Sequence, residues 1–357
     1  MTEVVIGSRG SALALAQTRW VADSIQLHNP GIETRIEIIR TKGDKILDTP
    51  LAKIGDKGLF VKEIEIALLE GRIDLAVHSM KDLPTDAAPG LLIGAVPPRA
   101  DPSDVLLSGC GGLFDLPPGS SVGSSSVRRK AQLLHVRPDL SFHDLRGNLD
   151  TRIRKLQTGE YDAIVVAYAG LHRLQREGKA GVGLWPYPGT AAGILPGPPE
   201  PSRHPEPVEG CNPEEAGERE LTWEKLPPGI CLPAVGQGAL AVQVRENDAL
   251  TAQLVAPLDD PASRAAVTAE RALLAALGGG CQAPIAALAV AQGDRLTLCA
   301  MAASLDGKAL VRASEEEGIA NAEALGEHTA QVLLASGARQ ILSEVRQESS
   351  PTSMGAA

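Results

Sequence analysis

The chain lacks most of the features that mark secreted, membrane-bound or nucleic-acid-binding proteins. No basic segment followed by an apolar core opens the sequence, and no apolar run approaches the roughly 20 residues that span a bilayer. The formal net charge of -10 over 357 residues disfavours nucleic acid as a partner, because phosphate binding needs a basic face. Local basic clusters can still bind small acidic ligands, so an anionic substrate is not excluded.

Paired cysteines and clustered histidines are also missing. The cysteines are scattered, odd in number and without a CxxC pair, at Cys110, Cys211, Cys231, Cys281 and Cys299. The seven histidines do not recur at ligand spacings, so no metal site is predicted. These absences lead us to expect a reduced, cytoplasmic protein.

Short apolar strands alternate with helical patterns from the N-terminus, and the pattern starts again at about Asp101. This alternation predicts parallel, doubly wound α/β sheets. Both units open with a strand, a glycine- and serine-rich turn that carries arginine, and a helix, at residues 7–17 and 123–132. Such a turn presents free N–H groups and the positive end of a helix dipole, so its repetition favours anion binding over a purely structural role.

Residues 181–229 interrupt this pattern, because they contain eleven of the 26 prolines. We expect a surface insertion here that forms neither a helix nor a central strand. A predicted strand at 239–244 resumes the regular structure. A helix over 262–277 follows, with Asp260 as N-cap and Pro261 as its first residue, and leads into the three strands and the helix of a small α+β domain.

One thiol lies on a glycine turn, Gly278-Gly279-Gly280-Cys281, at the end of this alanine-rich helix. The glycines remove nearby Cβ atoms, so the backbone can take positive φ and a bulky group can approach the sulfur. Taken alone, the stretch favours a plainer interpretation, a helix C-cap followed by a small buried cysteine.

A second candidate site follows the short buried strand at 75–78. The strand ends in a polar turn that places Lys81 and Asp82 at the carboxyl edge of the sheet, where open α/β folds bind ligands. The alternative is an Asx-type turn before Pro84 with a solvated Lys81, and the sequence leaves both interpretations open.

A set of cations completes the candidate site. Arg128 and Arg129 open a helix, where positive charge opposes the dipole, so their position is easier to explain if an anion binds there. The planar guanidinium group binds carboxylates in a bidentate manner, which indicates a ligand with several carboxylates. The whole set is Arg9, Lys53, Lys57, Arg128, Arg129, Arg146 and Arg152.

Several long stretches match one known family in the family's own order. They are residues 41–48, 51–63 (LAKIGDKGLFVKE), 77–84 (VHSMKDLP), 125–129, 145–152, 232–239 (LPAVGQGA) and 279–284. On these motifs the chain resembles the porphobilinogen deaminase (hydroxymethylbilane synthase) family over nearly its whole length. It departs from the family in the long proline-rich window and at Asp56, where glycine is common.

The resemblance implies a monomeric enzyme of three domains, with porphobilinogen as its small-molecule substrate and neither nucleic acid nor membrane as a partner. Domain 1 comprises residues 1–98 and 239–256, and domain 2 comprises residues 99–238, including the insertion at about 181–229. These two doubly wound α/β domains resemble a periplasmic-binding-protein pair around a cleft. Domain 3, residues 257–357, is the small α+β domain that carries the thiol loop.

The resemblance also implies a covalent dipyrromethane cofactor, joined to Cys281 through a thioether. The cofactor primes the head-to-tail addition of four porphobilinogen units, each with loss of ammonia, and hydrolysis then releases hydroxymethylbilane. Asp82 matches the family's catalytic aspartate. The matching cofactor-binding residues are Lys81, Asp82, Ser125, Ser126, Arg128, Arg129 and Arg152, and the matching substrate-binding residues are Arg9, Ser11, Gln17, Lys53, Lys57, Arg146 and Arg152.

This implied chemistry agrees with the residues themselves. Each pyrrole carries acetate and propionate groups, which explains the arginines of an acidic protein. Loss of ammonia leaves a cationic azafulvene that a fixed carboxylate stabilises, and the same carboxyl can move protons. A secreted anion receptor of the same fold would need a signal segment but neither Asp82 nor Cys281. A transferase using Cys281 as nucleophile would need a histidine base, and none accompanies it in sequence.

Overall fold

The computed structural model describes residues 3–45, 58–86, 88–176, 185–186, 221–279 and 283–348. Its strands, in chain order, are β1 (Glu3–Ser8), β2 (Glu33–Ile38), β3 (Leu75–Ser79), β4 (Leu91–Ala95), β5 (Asp104–Ser108), β6 (Ser121–Gly123), β7 (Ser141–His143), β8 (Ala163–Ala167), β9 (Trp185–Pro186), β10 (Thr222–Leu226), β11 (Leu240–Arg245), β12 (Ile285–Gln292), β13 (Arg295–Ala303) and β14 (Leu310–Gly318). The helices are α1 (Ala12–His28), α2 (Lys42–Lys45), α3 (Lys62–Leu69), α4 (Val127–Val136), α5 (Leu149–Gln157), α6 (Tyr168–Arg176), α7 (Ala249–Val255), α8 (Pro261–Ala276), α9 (Ala322–Leu333) and α10 (Arg339–Glu348).

Two sheets share one arrangement of five strands, and the second sheet has a sixth strand, β9, at its edge. The first runs β2-β1-β3-β11-β4 and the second β7-β6-β8-β5-β10-β9. In each, three parallel strands are followed by a strand of opposite direction, β11 in the first sheet and β5 in the second. Both of these strands follow a chain segment that has just left the other sheet. The predicted pair of doubly wound α/β units is therefore present, joined by two crossing segments.

The third sheet is an antiparallel meander, β12-β13-β14, packed against α8 and α9. Its core is aliphatic, with Leu273, Leu296 and Leu325 fully buried. Helix α8 begins as predicted, because the Asp260 side chain accepts a hydrogen bond from the backbone N–H of Ser263 at 2.7 Å and Pro261 is the first helical residue. The small α+β domain is thus confirmed.

The prediction that residues 181–229 contain no central strand is wrong. Strand β10 lies within this window and pairs with β5 on one side and β9 on the other. Leu221 and Leu226 at its two ends are buried. The prolines flank this five-residue run without entering it, so the composition of the whole window concealed a strand. Residues 187–220, the greater part of the predicted insertion, lie outside the described residues.

Two helices close the described part of the chain. Helix α9 ends at Leu333, the chain kinks at Gly337, whose φ is 112°, and α10 continues to Glu348. Val345 on α10 is buried, and residues 349–357 lie outside the described residues.

The cysteines and the membrane prediction can be checked only in part. Cys231 and Cys299 are free thiols. Among the helices of the described ranges, none is both long and apolar enough to cross a bilayer. Over the same ranges, no group of three potential metal ligands comes together.

Candidate active site

The catalytic candidate lies where β3 ends. The strand passes into a 3₁₀ turn, Met80–Asp82, in which Met80 is buried and the Asp82 side chain is exposed. Lys81 donates a hydrogen bond to Gln237 Oε1 at 3.3 Å. Burial lowers the pKa of Lys81 to about 8, an effect that Asp82 opposes and Arg129 reinforces. Lys81 and Asp82 therefore lie within electrostatic reach of the arginines of the second unit.

The first glycine-serine turn is built as the sequence predicts. Ser11 Oγ accepts a hydrogen bond from the N–H of Ala14 at 3.3 Å and so caps α1. Gln17, on the buried side of α1, donates from Nε2 to Ser79 Oγ at 3.1 Å and thereby ties α1 to the end of β3. The guanidinium of Arg9 lies 4.2 Å from the centre of the Phe60 ring, a cation–π contact. Gln17 thus connects α1 to the residue that directly precedes the Met80–Asp82 turn.

The second turn repeats this design with buried arginines. Ser126 Oγ accepts from the N–H of Arg129 at 3.4 Å and caps α4. Arg128 and Arg129 are only 5% and 6% exposed, so their charges are largely removed from water. Ser125 bridges two turns, since its hydroxyl donates to Leu145 O at 2.9 Å and accepts from Leu145 N at 3.0 Å.

The counter-charge for the two arginines is Asp104, a residue that the sequence interpretation missed. Asp104 is fully buried at the start of β5 and accepts from Arg128 at 2.7 Å and from Arg129 at 2.7 and 3.0 Å. Burial alone would raise the pKa of Asp104, but the two guanidinium groups outweigh it and hold that pKa well below its usual range. The signal in the sequence was a carboxylate directly before the apolar run Val105-Leu106-Leu107, because a charged group on a buried strand needs a partner.

Two further groups complete the shell of Asp104. Gln237 Nε2 donates to Asp104 Oδ1 at 2.8 Å, and the Cys231 thiol donates to Oδ2 at 3.3 Å. Burial raises the pKa of Cys231 to about 12, so this thiol keeps its proton at neutral pH. Because Gln237 also accepts from Lys81, one amide joins the Asp104 cluster to the catalytic turn.

Arg152 lies within electrostatic reach of Arg129, Arg146 and Asp82. Its Nε donates to Gly147 O at 2.9 Å, and among the described residues its two Nη groups have no acceptor. Burial, together with repulsion from Arg129 and Arg146, lowers the pKa of Arg152 to about 10, and Asp82 opposes this shift. The structure thus brings the predicted cations of the second unit together with Asp82 of the first.

The two units meet at the mouth of this cationic cluster. A Cβ atom placed on Gly170 of α6 would lie 3.3 Å from Leu13 of α1 and 3.5 Å from Leu149 of α5. Arg173, also on α6 and missed in the sequence, donates to Gly238 O at 3.0 Å, and burial lowers its pKa to about 10. Within the described part of the chain Arg173 has no carboxylate partner, so it adds another unneutralised cation at the junction.

Three predicted site residues, Cys281, Lys53 and Lys57, lie outside the described residues. The approach to Cys281 is described as far as Gly279. Gly278 has φ 59°, and the N–H of Gly279 bonds back to Leu274 O at 3.0 Å, which closes α8 in a Schellman motif. The predicted glycine C-cap of this helix is confirmed.

The charge balance of the cleft defines the class of protein. Among the described residues, the carboxylates that act on Lys81, Arg128, Arg129 and Arg152 are Asp82 and Asp104, and Asp104 is paired with two of the arginines. An excess of desolvated positive charge matches a ligand with several carboxylates, and Asp82 is left to act on a cationic centre. The fold and site therefore define a two-lobed α/β enzyme for a polycarboxylate substrate.

Comparison with known proteins makes the class specific. The family described as "Porphobilinogen deaminase, dipyromethane cofactor binding domain" matches residues 4–193, and the C-terminal domain of the same family matches residues 264–335. The porphobilinogen deaminase of Moorella thermoacetica is 47% identical over 350 residues, covering 98% of each chain. Those of Roseiflexus castenholzii and Pelotomaculum thermopropionicum are 45% and 46% identical, covering 95% and 97% of this chain and 98% of their own. The chain belongs to the porphobilinogen deaminase family.

Proposed function

We propose that this chain polymerises four porphobilinogen molecules, with loss of ammonia, and releases the linear tetrapyrrole hydroxymethylbilane. The observation that supports this most directly is the excess of buried cations around Asp82, at the meeting point of two lobes. A primer and a substrate that both carry acetate and propionate groups supply the carboxylates that this cleft lacks.

The described residues fit a dipyrromethane group. Arg128 uses only Nη1 within the described residues, for Asp104 and for Leu232 O, so its Nε and Nη2 remain available to a carboxylate. Arg152 offers both Nη groups and Lys81 offers its ammonium. When bound, the group would supply the nucleophilic pyrrole carbon for the first addition, and each added unit would supply it for the next. We assign its attachment to Cys281.

Asp82 carries the chemistry in this proposal. Positive charge develops on the substrate as ammonia leaves, and a fixed carboxylate beside that centre stabilises it. The same carboxyl can give a proton to the leaving amine and take the proton that the pyrrole carbon loses on bond formation. Its exposed position at the end of the 3₁₀ turn leaves it accessible to each incoming unit.

The surrounding residues divide into two groups. We assign Lys81, Arg128, Arg129 and Arg152 to the primer, with Arg129 acting mainly through Asp104 because each of its guanidinium nitrogens already has a protein acceptor. Arg9, Arg146 and the predicted Lys53 and Lys57 are assigned to the incoming substrate. Ser11, Ser125, Ser126 and Gln17 position the turns that present these cations.

The three-domain boundaries, the monomeric state and the cytoplasmic location are part of this proposal. The first two sheets support domains 1 and 2, including the return of β11 to the first sheet, and the meander supports domain 3. An anion receptor of the same architecture remains the alternative class. The full-length family membership and the presence of both Asp82 and Cys281 favour the enzyme.

Intact mass of the purified protein tests the covalent attachment. Wild type should carry the added mass of one dipyrromethane, and Cys281→Ser should lose both that mass and the activity. Cys299→Ser, which replaces a partly exposed free thiol on β13, is the matched control and should keep both. An adduct on any cysteine other than Cys281 would refute the assignment.

A further inference from the structure

A cavity of about 280 Å³ lies behind the catalytic turn, between domain 1 and helix α8 of domain 3. Its apolar walls include Met80, Val96 and Val267, all of which are almost fully buried. Met80 directly precedes Lys81 and Asp82, so one wall of the cavity is the back of the turn that carries the catalytic carboxyl. Nothing in the proposed reaction uses this space.

Among the polar residues that line the cavity is Arg271 on α8. Its Nη2 donates to the carbonyl oxygens of Pro84 at 2.7 Å and Thr85 at 3.0 Å, and its Nη1 approaches Leu83 O at 3.5 Å. Arg271 therefore holds the three residues that follow Asp82. Within the described ranges its Nε–H has no acceptor, so one donor of the fork is left over.

The charge of Arg271 is matched by carbonyl dipoles and not by a close carboxylate. Burial lowers the pKa of Arg271, and the exposed Asp86 opposes this only through its field. The neighbouring Arg264 differs, because Asp259 binds its Nε at 2.7 and 2.9 Å and neutralises it. One incompletely neutralised guanidinium therefore lines a cavity that also has an apolar wall, formed by Met80, Val96 and Val267.

These features specify the ligand. A carboxylate meets the spare donor of Arg271, and an unbranched apolar body fits against Met80, Val96 and Val267. Glu323 lies exposed at the rim of the cavity and disfavours a second negative charge there. The site therefore selects a small monocarboxylate with an apolar chain, and not the polycarboxylate that the cleft requires.

We propose that this cavity is a second ligand site, which binds a small amphipathic monocarboxylate through Arg271. Carboxylate bound at the spare Nε–H draws the guanidinium away from Pro84 O and Thr85 O and so loosens the segment after Asp82. Because the substrate cations Arg9 and Arg146 are untouched, occupancy lowers kcat and leaves KM for porphobilinogen nearly unchanged.

Hexanoate is the probe, with hexanamide as its neutral counterpart, and binding to the holoenzyme is measured by calorimetry. A charge-assisted hydrogen bond makes hexanoate the tighter ligand by about tenfold. Thr268→Phe fills the cavity and should abolish hexanoate binding, whereas Ala262→Phe, an exposed position on the same helix outside the cavity, should retain it. Arg271→Gln should remove the preference for hexanoate over hexanamide.

The two variants distinguish this cavity from the cationic cleft. Saturable hexanoate binding that survives Thr268→Phe would place the ligand elsewhere and overturn the proposal, as would equal affinity for hexanoate and hexanamide or no binding to wild type. A rise in KM at constant kcat would show competition in the cleft and would count equally against it. Calorimetric binding does not depend on turnover, so these outcomes are separate from the test of the proposed function.

Discussion

Replacing Asp104 by asparagine tests the electrostatic design of the site. The side chain is fully buried and accepts hydrogen bonds from two guanidinium groups, one amide and one thiol. Asparagine keeps the shape but removes the charge, so Arg128 and Arg129 are left without their counter-ion. Removing one partner of a buried ion pair typically costs about 3–5 kcal/mol, and we expect a loss of unfolding free energy in that range for the apo protein.

The cofactor changes this expectation in a diagnostic way. Its carboxylates supply negative charge to the same arginines, so the loss caused by Asp104→Asn should be smaller in the holoenzyme than in the apo protein. Urea unfolding followed by tryptophan fluorescence measures both, since Trp223 lies on β10, which pairs with the strand that Asp104 begins. An equal or larger loss in the holoenzyme would refute the idea that Asp104 and the cofactor neutralise the same charges.

A surface carboxylate provides the control, and pH provides a second check. Asp139→Asn breaks the more exposed Arg137 pair in the same domain and should cost no more than about 1 kcal/mol. The folded-state pKa of Asp104 lies below its unfolded value of about 3.9, so its contribution is present above that pH and is lost as the pH falls. The difference between wild type and Asp104→Asn should therefore stay constant from about pH 7 to 5 and shrink only in stronger acid.

Three further changes follow from the same geometry. Asp82→Asn should keep the fold but reduce kcat at least ~10²–10⁴-fold, because proton transfer is lost, and a variant with a tenth of the wild-type rate would exclude Asp82 as the catalytic carboxyl. Burial lowers the pKa of Lys81 to about 8, so loading of the primer into apo protein should weaken as the pH rises through 8. Lys81→Arg should move that loss to higher pH. If wild type and Lys81→Arg showed the same pH dependence of loading, the Lys81 ammonium would not bind the primer. Gly307→Ala should destabilise the protein by roughly 2–5 kcal/mol in thermal or urea melts, because φ is 73° and the new Cβ would lie 2.4 Å from Ala131 O on α4. Gly293→Ala is the control, since φ is 62° there and no atom lies near the new Cβ. It should show only the backbone strain, about 1–2 kcal/mol.

The local features of this fold were predictable because their causes are local. Asp260 is predicted as a helix N-cap from its position before a periodic run, and Ser11 and Ser126 lie in the two turns predicted to open helices. The side chain of each accepts a hydrogen bond from the third N–H beyond it. Strand β10 was missed for the opposite reason. Its residues are ordinary for a strand, but they were averaged with a proline-rich stretch that dominates the composition of the window.

The sequence proposes candidate site residues one by one, but it does not reveal the partners that lie far away in the chain. Arg128 and Arg129 were taken to require an anion, and the protein itself supplies one in Asp104, 24 and 25 residues earlier. Gln237 donates to the same carboxylate from 133 residues away. No spacing rule links such positions, so sequence patterns found the cations but not the residue that sets their net charge.

One buried carboxylate connects both crossing segments to domain 3. Glu270 on α8 is fully buried and binds Arg99 of the first crossing segment at 2.6 and 3.1 Å and the N–H of Gly236 in the second at 2.7 Å. It also accepts from the N–H of Ala289 on β12 at 2.8 Å.

Arg99 Nε donates in turn to Gln237 O at 2.9 Å. Gln237, whose side chain joins Lys81 to Asp104, is therefore held by the Arg99–Glu270 pair. Helix α8 leads in sequence directly to Cys281. These bonds thus fix three parts of the molecule to one another: the segments that pass between the lobes, the Gln237 amide that joins their charges, and helix α8, which precedes Cys281. Any opening of the cleft must therefore bend the chain on either side of this cluster and leave the cluster itself intact.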